Sequence, residues 1–270
     1  MSVDILLPIM AVGAVLFVSE MLARGKKARE RLAERMDMTV LPTLEQNWNR
    51  YRRSFRGRWN PLRILDQNDP HRDMGMRMSK LRLFSHIKDG KAINWPLNTF
   101  RHLLHCHSKS LGLSDEVKVT IFEYQVIASP WFIPLYLKLS VQTVMLFQDK
   151  RLNFPEFAGR PERFRHKLGS TLHLLNDIDF ESDSTAVEFS KQYLLNGPEY
   201  GEPQIRKLFT DEVLACFADK DEIWVDGAGD QLIFYRADKA LQPREEHFRP
   251  FVEEAVEVFR VLSESNGQPT

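Results

Sequence analysis

The sequence predicts an α+β protein with one N-terminal transmembrane helix, followed by a globular domain with an antiparallel sheet and a C-terminal amphipathic helix. Three observations predict this architecture. The chain begins with a nearly uncharged apolar run. Its middle contains segments rich in β-branched and aromatic residues, which are typical of strands. Its end carries an apolar stripe with helical spacing. A length of 270 residues is sufficient for one sizeable domain beyond the anchor.

The apolar run from Ile5 to Leu22 predicts a membrane anchor over residues 1–23. Crossing a bilayer takes about 20 apolar residues. Lys and Arg that flank a span stay on the cytoplasmic side, and only Asp4 is charged before the run. The rest of the chain is therefore predicted to face the cytoplasm, as a single-pass protein of a bacterial inner membrane. Five basic residues directly after the run are predicted to contact lipid headgroups: Arg24, Lys26, Lys27, Arg29 and Arg31.

A cleaved signal peptide is the main alternative to the anchor. It would carry positive charge before the apolar core and small residues at a cleavage site after it. Here the order is reversed, because the cations follow the core and Ala11, Gly13 and Ala14 lie inside it. The order of residues favours an anchor that is retained.

The formal net charge is zero, but positive and negative charges are distributed unevenly along the chain. Residues 1–60 carry a net charge of +5, residues 61–174 carry +7, and residues 175–270 carry −12. Anionic headgroups attract juxtamembrane cations, so the basic half is predicted to lie against the bilayer and the acidic part away from it. Nucleic-acid recognition by the Arg-rich residues 50–59 is disfavoured, because a linker explains them more simply.

Composition and the positions of loop-forming residues predict how the chain is divided. Residues 24–75 are assigned to a basic juxtamembrane helix and linker, residues 76–265 to the cytoplasmic α+β domain, and residues 266–270 to a disordered tail. Only two cysteines are present, Cys106 and Cys216, and a cytoplasmic domain would keep both as thiols.

The first elements of the domain are predicted from apolar periodicity. Residues 26–36 read as a polar helix, and residues 99–111 as a second helix that is stopped by Gly112. After Gly112 the helical spacing of apolar residues ends. Residues 118–126 and 139–147 are rich in β-branched and aromatic residues and predict two antiparallel strands.

The segment between these strands is unusually apolar. A second transmembrane span is disfavoured, because Lys138 would lie near its middle. A hairpin with an apolar tip is the better interpretation. Whether the tip packs on its own domain, enters the membrane interface or contacts a partner protein is left open by the sequence. The tip residues are Trp131, Phe132, Ile133, Leu135 and Tyr136.

The last third of the chain carries clearer local patterns. Residues 204–217 predict one or two short helices, with a cap at Thr210 or Asp211. Residues 222–236 predict a β-hairpin around a Gly-rich turn. The terminal stripe from Phe248 to Leu262 predicts an amphipathic helix, with Pro250 in its first turn.

From residue 117 onward, the order of motifs resembles a family of uncharacterised bacterial membrane-anchored proteins. The carrying motifs are Ile121-Phe122-Glu123-Tyr124, Gln142-Thr143-Val144, Leu152-Asn153-Phe154-Pro155-Glu156-Phe157, Arg160-Pro161-Glu162, Asp177-Ile178-Asp179-Phe180, Phe189-Ser190-Lys191-Gln192-Tyr193 and the hairpin near Gly227. The resemblance implies an α+β domain without an assigned activity. In that family the first hairpin tip is short and polar, so the apolar tip here departs from the pattern.

Two clusters have the residue types of metal ligands. On a helix, His102 would share a face with His105 and Cys106, as in a zinc site, while His107 would point toward the apolar side. Acidic residues at alternate positions resemble a calcium-binding loop, but Ser182 replaces the glycine that the loop's turn requires. These acids are Asp177, Asp179, Glu181, Asp183 and Glu188. A polar helix face and an extended segment with outward acids are the simpler interpretations, so no metal is predicted.

No nucleophile elbow, phosphate-binding glycine loop or Cys-His pair in a known local context is present, so no catalytic residue and no cofactor are predicted. The sequence favours a non-catalytic accessory or scaffolding subunit of a membrane complex, with lipids and other membrane proteins as partners. An anionic-lipid-binding, pleckstrin-like module is the alternative, and a metal-dependent enzyme is the second alternative.

Overall fold

A computed structural model of the chain describes residues 25–41, 99–128, 137–162, 176–180, 184–237 and 239–267. The predicted anchor, most of the predicted linker and the apolar tip between Trp131 and Tyr136 lie outside these residues. Among the described helices, none combines the length and the apolar character that a membrane span requires.

The described residues form five α-helices and nine strands. The helices are α1 (residues 25–35), α2 (Ser184–Gln192), α3 (Glu202–Leu208), α4 (Asp211–Ala218) and α5 (Glu245–Ser265). The strands are β1 (Met38–Val40), β2 (Thr99–Cys106), β3 (Lys118–Ala128), β4 (Leu137–Gln148), β5 (Phe154–Pro161), β6 (Asn176–Asp177), β7 (Tyr193–Gly197), β8 (Trp224–Gly229) and β9 (Gln231–Tyr235).

All nine strands belong to one sheet in the order β1-β2-β3-β4-β9-β8-β5-β7-β6, and every neighbouring pair is antiparallel. The predicted α+β class with an antiparallel sheet is confirmed. The predicted pairing of β3 with β4 is also confirmed, with Phe122 opposite Val144. Both strands alternate between two buried faces, which explains why they contain so few charged residues.

The β8–β9 hairpin is confirmed and joins the two halves of the sheet. Ala228 pairs with Gln231, so the turn consists of Gly229 and Asp230. Gly229 has φ of +59°, a conformation that glycine adopts without steric cost. Because β9 pairs with β4 and β8 pairs with β5, this hairpin lies between two strands that follow each other directly in the sequence.

The core lies on one face of the sheet, where helices α2 to α5 contribute their buried side chains to the same cluster. In α5 the predicted apolar stripe is confirmed, and the Phe259 ring stacks on Phe147 of β4 with centroids 4.4 Å apart. The predicted place of Pro250 is wrong, because the helix already begins at Glu245. Burial of the stripe on both sides of Pro250 compensates for the backbone hydrogen bond that a proline removes.

The predicted break between two short helices is confirmed. Helix α3 ends at Leu208 and helix α4 begins at Asp211, with Thr210 as its extended N-terminal cap. Asp211 and Glu212 lie in the first turn of α4, where negative charge interacts favourably with the helix dipole.

The helix predicted over residues 99–111 is wrong, because residues 99–106 form strand β2 between β1 and β3. Hydrogen bonding to two neighbouring strands outweighs the helical spacing of the apolar residues. Only a short 3-10 turn follows, at Ser108–Leu111. Gly112 does end that turn, with φ of +65°, as its predicted role as a stop requires.

The N-terminal boundary of the domain also needs correction. Helix α1 and strand β1 fall within residues 24–75, which the sequence assigns to a juxtamembrane helix and linker. Leu32 and Ala33 are each 2% exposed and belong to the core cluster, and Met38 pairs with Cys106. A few apolar side chains on one face suffice to bury a helix that is otherwise highly charged.

Candidate functional site

Helix α1 directly follows the predicted anchor and presents two different faces. Leu32 and Ala33 are buried in the core, whereas Lys26, Lys27 and Arg31 are exposed. Lys26 forms an i,i+4 ion pair with Glu30, with 3.7 Å between nitrogen and oxygen. Lys27 and Arg31 are one helical turn apart, so their positive charges lie side by side on the helix surface.

The other predicted headgroup contacts are placed differently. Arg29 is half-buried and interacts with other residues of the protein, so its guanidinium group is only partly available to lipid headgroups. Arg24 lies outside the described residues. Of the five predicted contacts, Lys26, Lys27 and Arg31 are therefore the ones that the structure exposes.

The end of α1 is held by a tight connection to the sheet. Asp37 has φ of +52°, and its carboxylate accepts a hydrogen bond from the Ser110 hydroxyl. Asp37 leads directly into β1, the outermost strand beside β2. The chain thus passes from the helix after the predicted anchor into the sheet without a flexible connector.

Of the candidate metal ligands His102, His105 and Cys106, the last two point to opposite faces, because residues 99–106 form a strand and not a helix. Successive residues of a strand point to opposite faces, and Cys106 is 1% exposed within the core. Burial raises the pKa of the Cys106 thiol to about 12, so it stays protonated at neutral pH. The side chain of His102 lies outside the described part of the structure.

Asp177, Asp179 and Glu188 do not form a calcium loop. Ile178 and Phe180 are buried while Asp177 and Asp179 point outward, which is the alternation expected of an extended segment. Asp177 accepts a hydrogen bond from the Asn196 side chain at 2.5 Å, and Glu188 accepts one from Gln192 at 3.1 Å. Glu181 and Asp183 lie outside the described residues. Within the described ranges, no group of three or more His, Cys, Asp or Glu side chains is placed to hold a metal ion.

Strand β2 instead creates a pair that the helix prediction missed. His105 and His107 have ring centroids 5.9 Å apart in an edge-to-face arrangement. Burial lowers the pKa of His105, and the charges of His107 and Lys118 lower it further, against the opposing effect of a hydrogen bond to the Val119 backbone. The lowered pKa favours the neutral form of the His105 imidazole. The i,i+2 spacing is the sequence signal that identifies this pair once β2 is recognised as a strand.

The second face of the sheet carries buried polar groups that sequence reasoning also missed. Asp226 on β8 lies opposite Ala158 on β5, and Ala158 lies opposite Asn196 on β7. Arg160 lies over the Trp224 ring, 5.4 Å from its centroid. All four polar or aromatic side chains are less than 9% exposed. Small Ala158 thus lies between an acid and an amide on this face of the sheet.

Gln231 is the most unusual of these groups. It is 2% exposed, and neither its amide nitrogen nor its amide oxygen has a hydrogen-bond partner within the described part of the protein. A buried amide without partners costs free energy. Its neighbours Leu232 and Ile233 are fully buried apolar residues of the same strand.

An ion-pair cluster joins α5 to the segments that directly follow α4 and β9. Lys220 pairs with Glu257 at 2.8 Å, and Arg236 pairs with Glu254 at 2.7 Å. Burial raises the pKa of Glu254, although Arg236 and Lys220 oppose that effect. The Tyr193 hydroxyl donates a hydrogen bond of 2.6 Å to the Lys220 carbonyl. These partners satisfy the charges internally, so the cluster stabilises the packing of α5.

Comparison with known proteins gives a fold likeness at low similarity. No family model matches the chain, and no curated protein sequence matches it, so membership of the family suggested by the motifs stays a prediction. Among solved structures, the chain is similar to the crystal structure of the mycobacterial trehalose monomycolate transport factor A, TtfA. The TM-score is 0.46 at 8% identity, over 90% of this chain and 96% of that chain. A likeness at this level carries no functional argument.

Proposed function

We propose that this protein is a non-catalytic, single-pass membrane protein that serves as an accessory or scaffolding subunit of a bacterial inner-membrane complex. Its α+β domain would face the cytoplasm. The observation that carries the proposal is the position of α1, which follows the predicted anchor at once and is built into the domain core through Leu32 and Ala33. An anchor joined to its domain in this way would hold the domain in a fixed place at the membrane.

The spacing along the chain supports a short attachment. Ten residues lead from Leu22, the last residue of the apolar run, to Leu32 in the core. As a helix, ten residues span about 15 Å. A domain held this close to the membrane would contact the membrane proteins beside it. It would have little freedom to reach partners farther away.

The segment with Trp131, Phe132, Ile133, Leu135 and Tyr136 is proposed as a second contact with lipid or partner protein. The strands on either side of it pair as far as Ala128 and Leu137. The sheet therefore holds both ends of the segment. Contacts made by large apolar side chains bury much surface for each residue, which suits an attachment between proteins of one complex.

Labelling of a cysteine at position 200 tests the membrane topology. Tyr200 is 79% exposed, so Tyr200→Cys places a thiol on the surface without disturbing the core. Burial raises the pKa values of the native thiols to about 12 at Cys106 and about 11 at Cys216, so both react slowly at neutral pH. We expect a membrane-impermeant maleimide to label the variant in inverted membrane vesicles and not in intact spheroplasts.

The parent protein without the Tyr200→Cys substitution is the control for background labelling. Labelling in intact spheroplasts would place the domain outside the cytoplasm. Recovery of the variant in the soluble fraction, with no membrane-bound protein, would contradict the anchor itself.

The exposed cations of α1 favour anionic-lipid binding as a second candidate function. A form that lacks residues 1–23 retains every described residue. We expect it to bind vesicles that contain anionic lipid at low salt and to lose that binding at high salt. Each cation near the surface contributes about 1 kcal/mol, so Lys27→Glu combined with Arg31→Glu should weaken binding at least about tenfold.

The matched control reverses two exposed cations elsewhere, Lys150→Glu with Lys207→Glu. It introduces the same change in net charge on other elements. An equal loss of binding in the control would show that the whole basic surface acts without preference for α1. Failure of the unaltered form to bind anionic vesicles at low salt would remove this candidate function.

A further inference from the structure

We propose that the domain faces the membrane with one particular end of its sheet, where β3 stops at Ala128 and β4 starts at Leu137. We call this the Ala128 end. The other end of the same two strands, where Lys118 pairs with Gln148, is the Lys118 end. The partner at the Ala128 end is the headgroup surface of a phospholipid bilayer. This inference rests on the proposed function, because it takes the anchor before α1 as given.

The C-terminal end of α1 lies at the Lys118 end of the sheet. Asp37 follows the helix, and its carboxylate accepts a hydrogen bond from Ser110, which precedes β3. The next residue, Met38, pairs with Cys106. Cys106 in turn pairs with Val119, the second residue of β3. The connection from α1 to β1 is therefore held beside the start of β3.

The N-terminal half of α1 lies farther along the strands, toward the Ala128 end. Arg29, Glu123 and Thr143 line one small cavity. Glu123 pairs with Thr143 about midway along β3 and β4. Helix α1 begins four residues before Arg29, which is about 6 Å farther in the same direction. Its first residue therefore points toward the Ala128 end.

Helix α5 runs in the same direction as α1. Near its start, Phe248 lines the same cavity as Arg29. Near its other end, the Arg260 guanidinium donates hydrogen bonds to the carbonyl oxygens of Leu111 and Gly112, at 2.9 and 3.0 Å. Both acceptors precede β3 and so lie at the Lys118 end. Arg29 is thus beside the end of α5 that is remote from the Lys118 end.

The chain before α1 is short, which limits the surfaces that can face the bilayer. Three residues lead from Leu22, the last residue of the apolar run, to residue 25 at the start of α1. Three residues span at most about 11 Å, whatever their conformation. The Lys118 end lies about 23 Å from the start of α1 in the direction away from the anchor. It is therefore beyond the reach of this connection.

The Ala128 end lies within that reach. Beyond Glu123, β3 continues for five residues to Ala128, which is about 17 Å. The start of α1 is only about 6 Å beyond Arg29. The ends of β3 and β4 therefore extend about 11 Å farther toward the anchor than α1 does. That distance brings them to the level of Leu22, where the apolar run ends.

The charges of α1 suit this orientation. Lys26 and Lys27 are exposed in the first turn of the helix, on the side of the domain that would lie next to the bilayer. A cation beside an anionic headgroup surface contributes about 1 kcal/mol. Anionic lipid would therefore stabilise the proposed orientation.

Fluorescence quenching of the full chain in phospholipid vesicles tests the orientation. Lys239→Cys places a label toward the Ala128 end, because the Lys239 carbonyl accepts a hydrogen bond of 3.0 Å from the Thr143 backbone N–H. Lys150→Cys is the matched variant at the Lys118 end, two residues after Gln148. Both lysines are exposed, so neither substitution alters the core. The quencher is a nitroxide on the lipid headgroup, present in both leaflets so that the direction of insertion does not matter.

We expect the label at position 239 to be quenched at least about twofold more strongly than the label at position 150, because Thr143 and Gln148 are about 17 Å apart along β4. The parent protein, treated with the same label, gives the background from Cys106 and Cys216.

Flotation of the vesicles distinguishes the two ways in which the test can fail. In protein that floats with the vesicles, equal quenching at both positions or stronger quenching at position 150 would overturn the orientation. The proposed membrane attachment would then still stand. Protein that does not float with the vesicles would contradict the anchor, and the orientation would fall with it.

Discussion

Leu32→Asp is expected to lower the free energy of unfolding of the domain by at least about 4 kcal/mol. Leu32 is 2% exposed and packs in the core cluster beside Ala33. The substitution removes a buried side chain, which costs about 2–5 kcal/mol, and replaces it with a carboxylate that must be buried or drive α1 off the sheet. Urea denaturation of the form lacking residues 1–23, followed by circular dichroism, measures the change.

Arg31→Asp is the matched control, because it introduces the same residue at the preceding, exposed position of the same helix. It should change the free energy of unfolding by no more than about 0.5 kcal/mol. If the two variants were equally stable, α1 would not be part of the folded core. The short attachment proposed between anchor and domain would then lose its basis.

Elements with strong local patterns were predictable from the sequence. Strands β3 and β4 are continuous runs of β-branched and aromatic residues, and the β8–β9 hairpin has Gly229 at the position where the turn needs a positive φ. The stripe of α5 repeats over about four turns, which leaves little ambiguity between helix and strand. In each case the signal is contained within about 20 consecutive residues.

Strand β2 was not predictable from local pattern. Its apolar residues fit helical spacing, and its conformation depends on β1, which precedes it by about 60 residues, and on β3. The same long-range pairing brings residues 25–41 into the domain, although their charge is typical of a linker. Contacts between distant parts of a chain override local preference in short, ambiguous segments.

The candidate sites also depend on contacts that a local sequence pattern does not reveal. The cluster of His102, His105 and Cys106 was placed on a helix, which brings together residues three or four apart, whereas a strand brings together residues two apart. The polar groups of the second face come from β5, β7, β8 and β9, and Arg160 is separated from Gln231 by about 70 residues. Only the strand order of the sheet brings such residues onto one face.

Gln231→Met is expected to raise the free energy of unfolding by about 1–3 kcal/mol. The Gln231 amide is buried, and both of its polar atoms lack a partner in the described structure. Methionine has the same unbranched length without the amide, so the substitution removes the desolvation cost and keeps the packing. Gln231→Glu should have the opposite effect, because it would bury a charge at the same place.

Thr143→Val provides the contrast of a buried polar group that is satisfied. Thr143 is 1% exposed, and its hydroxyl oxygen accepts a hydrogen bond of 2.9 Å from the Leu241 backbone N–H. Valine has nearly the same shape but leaves that N–H without an acceptor, so we expect a loss of about 1–2 kcal/mol. Both variants are measured by urea denaturation under the same conditions. Destabilisation by Gln231→Met would mean that the amide is hydrogen-bonded in the folded protein, and the proposed cost of its burial would then be wrong.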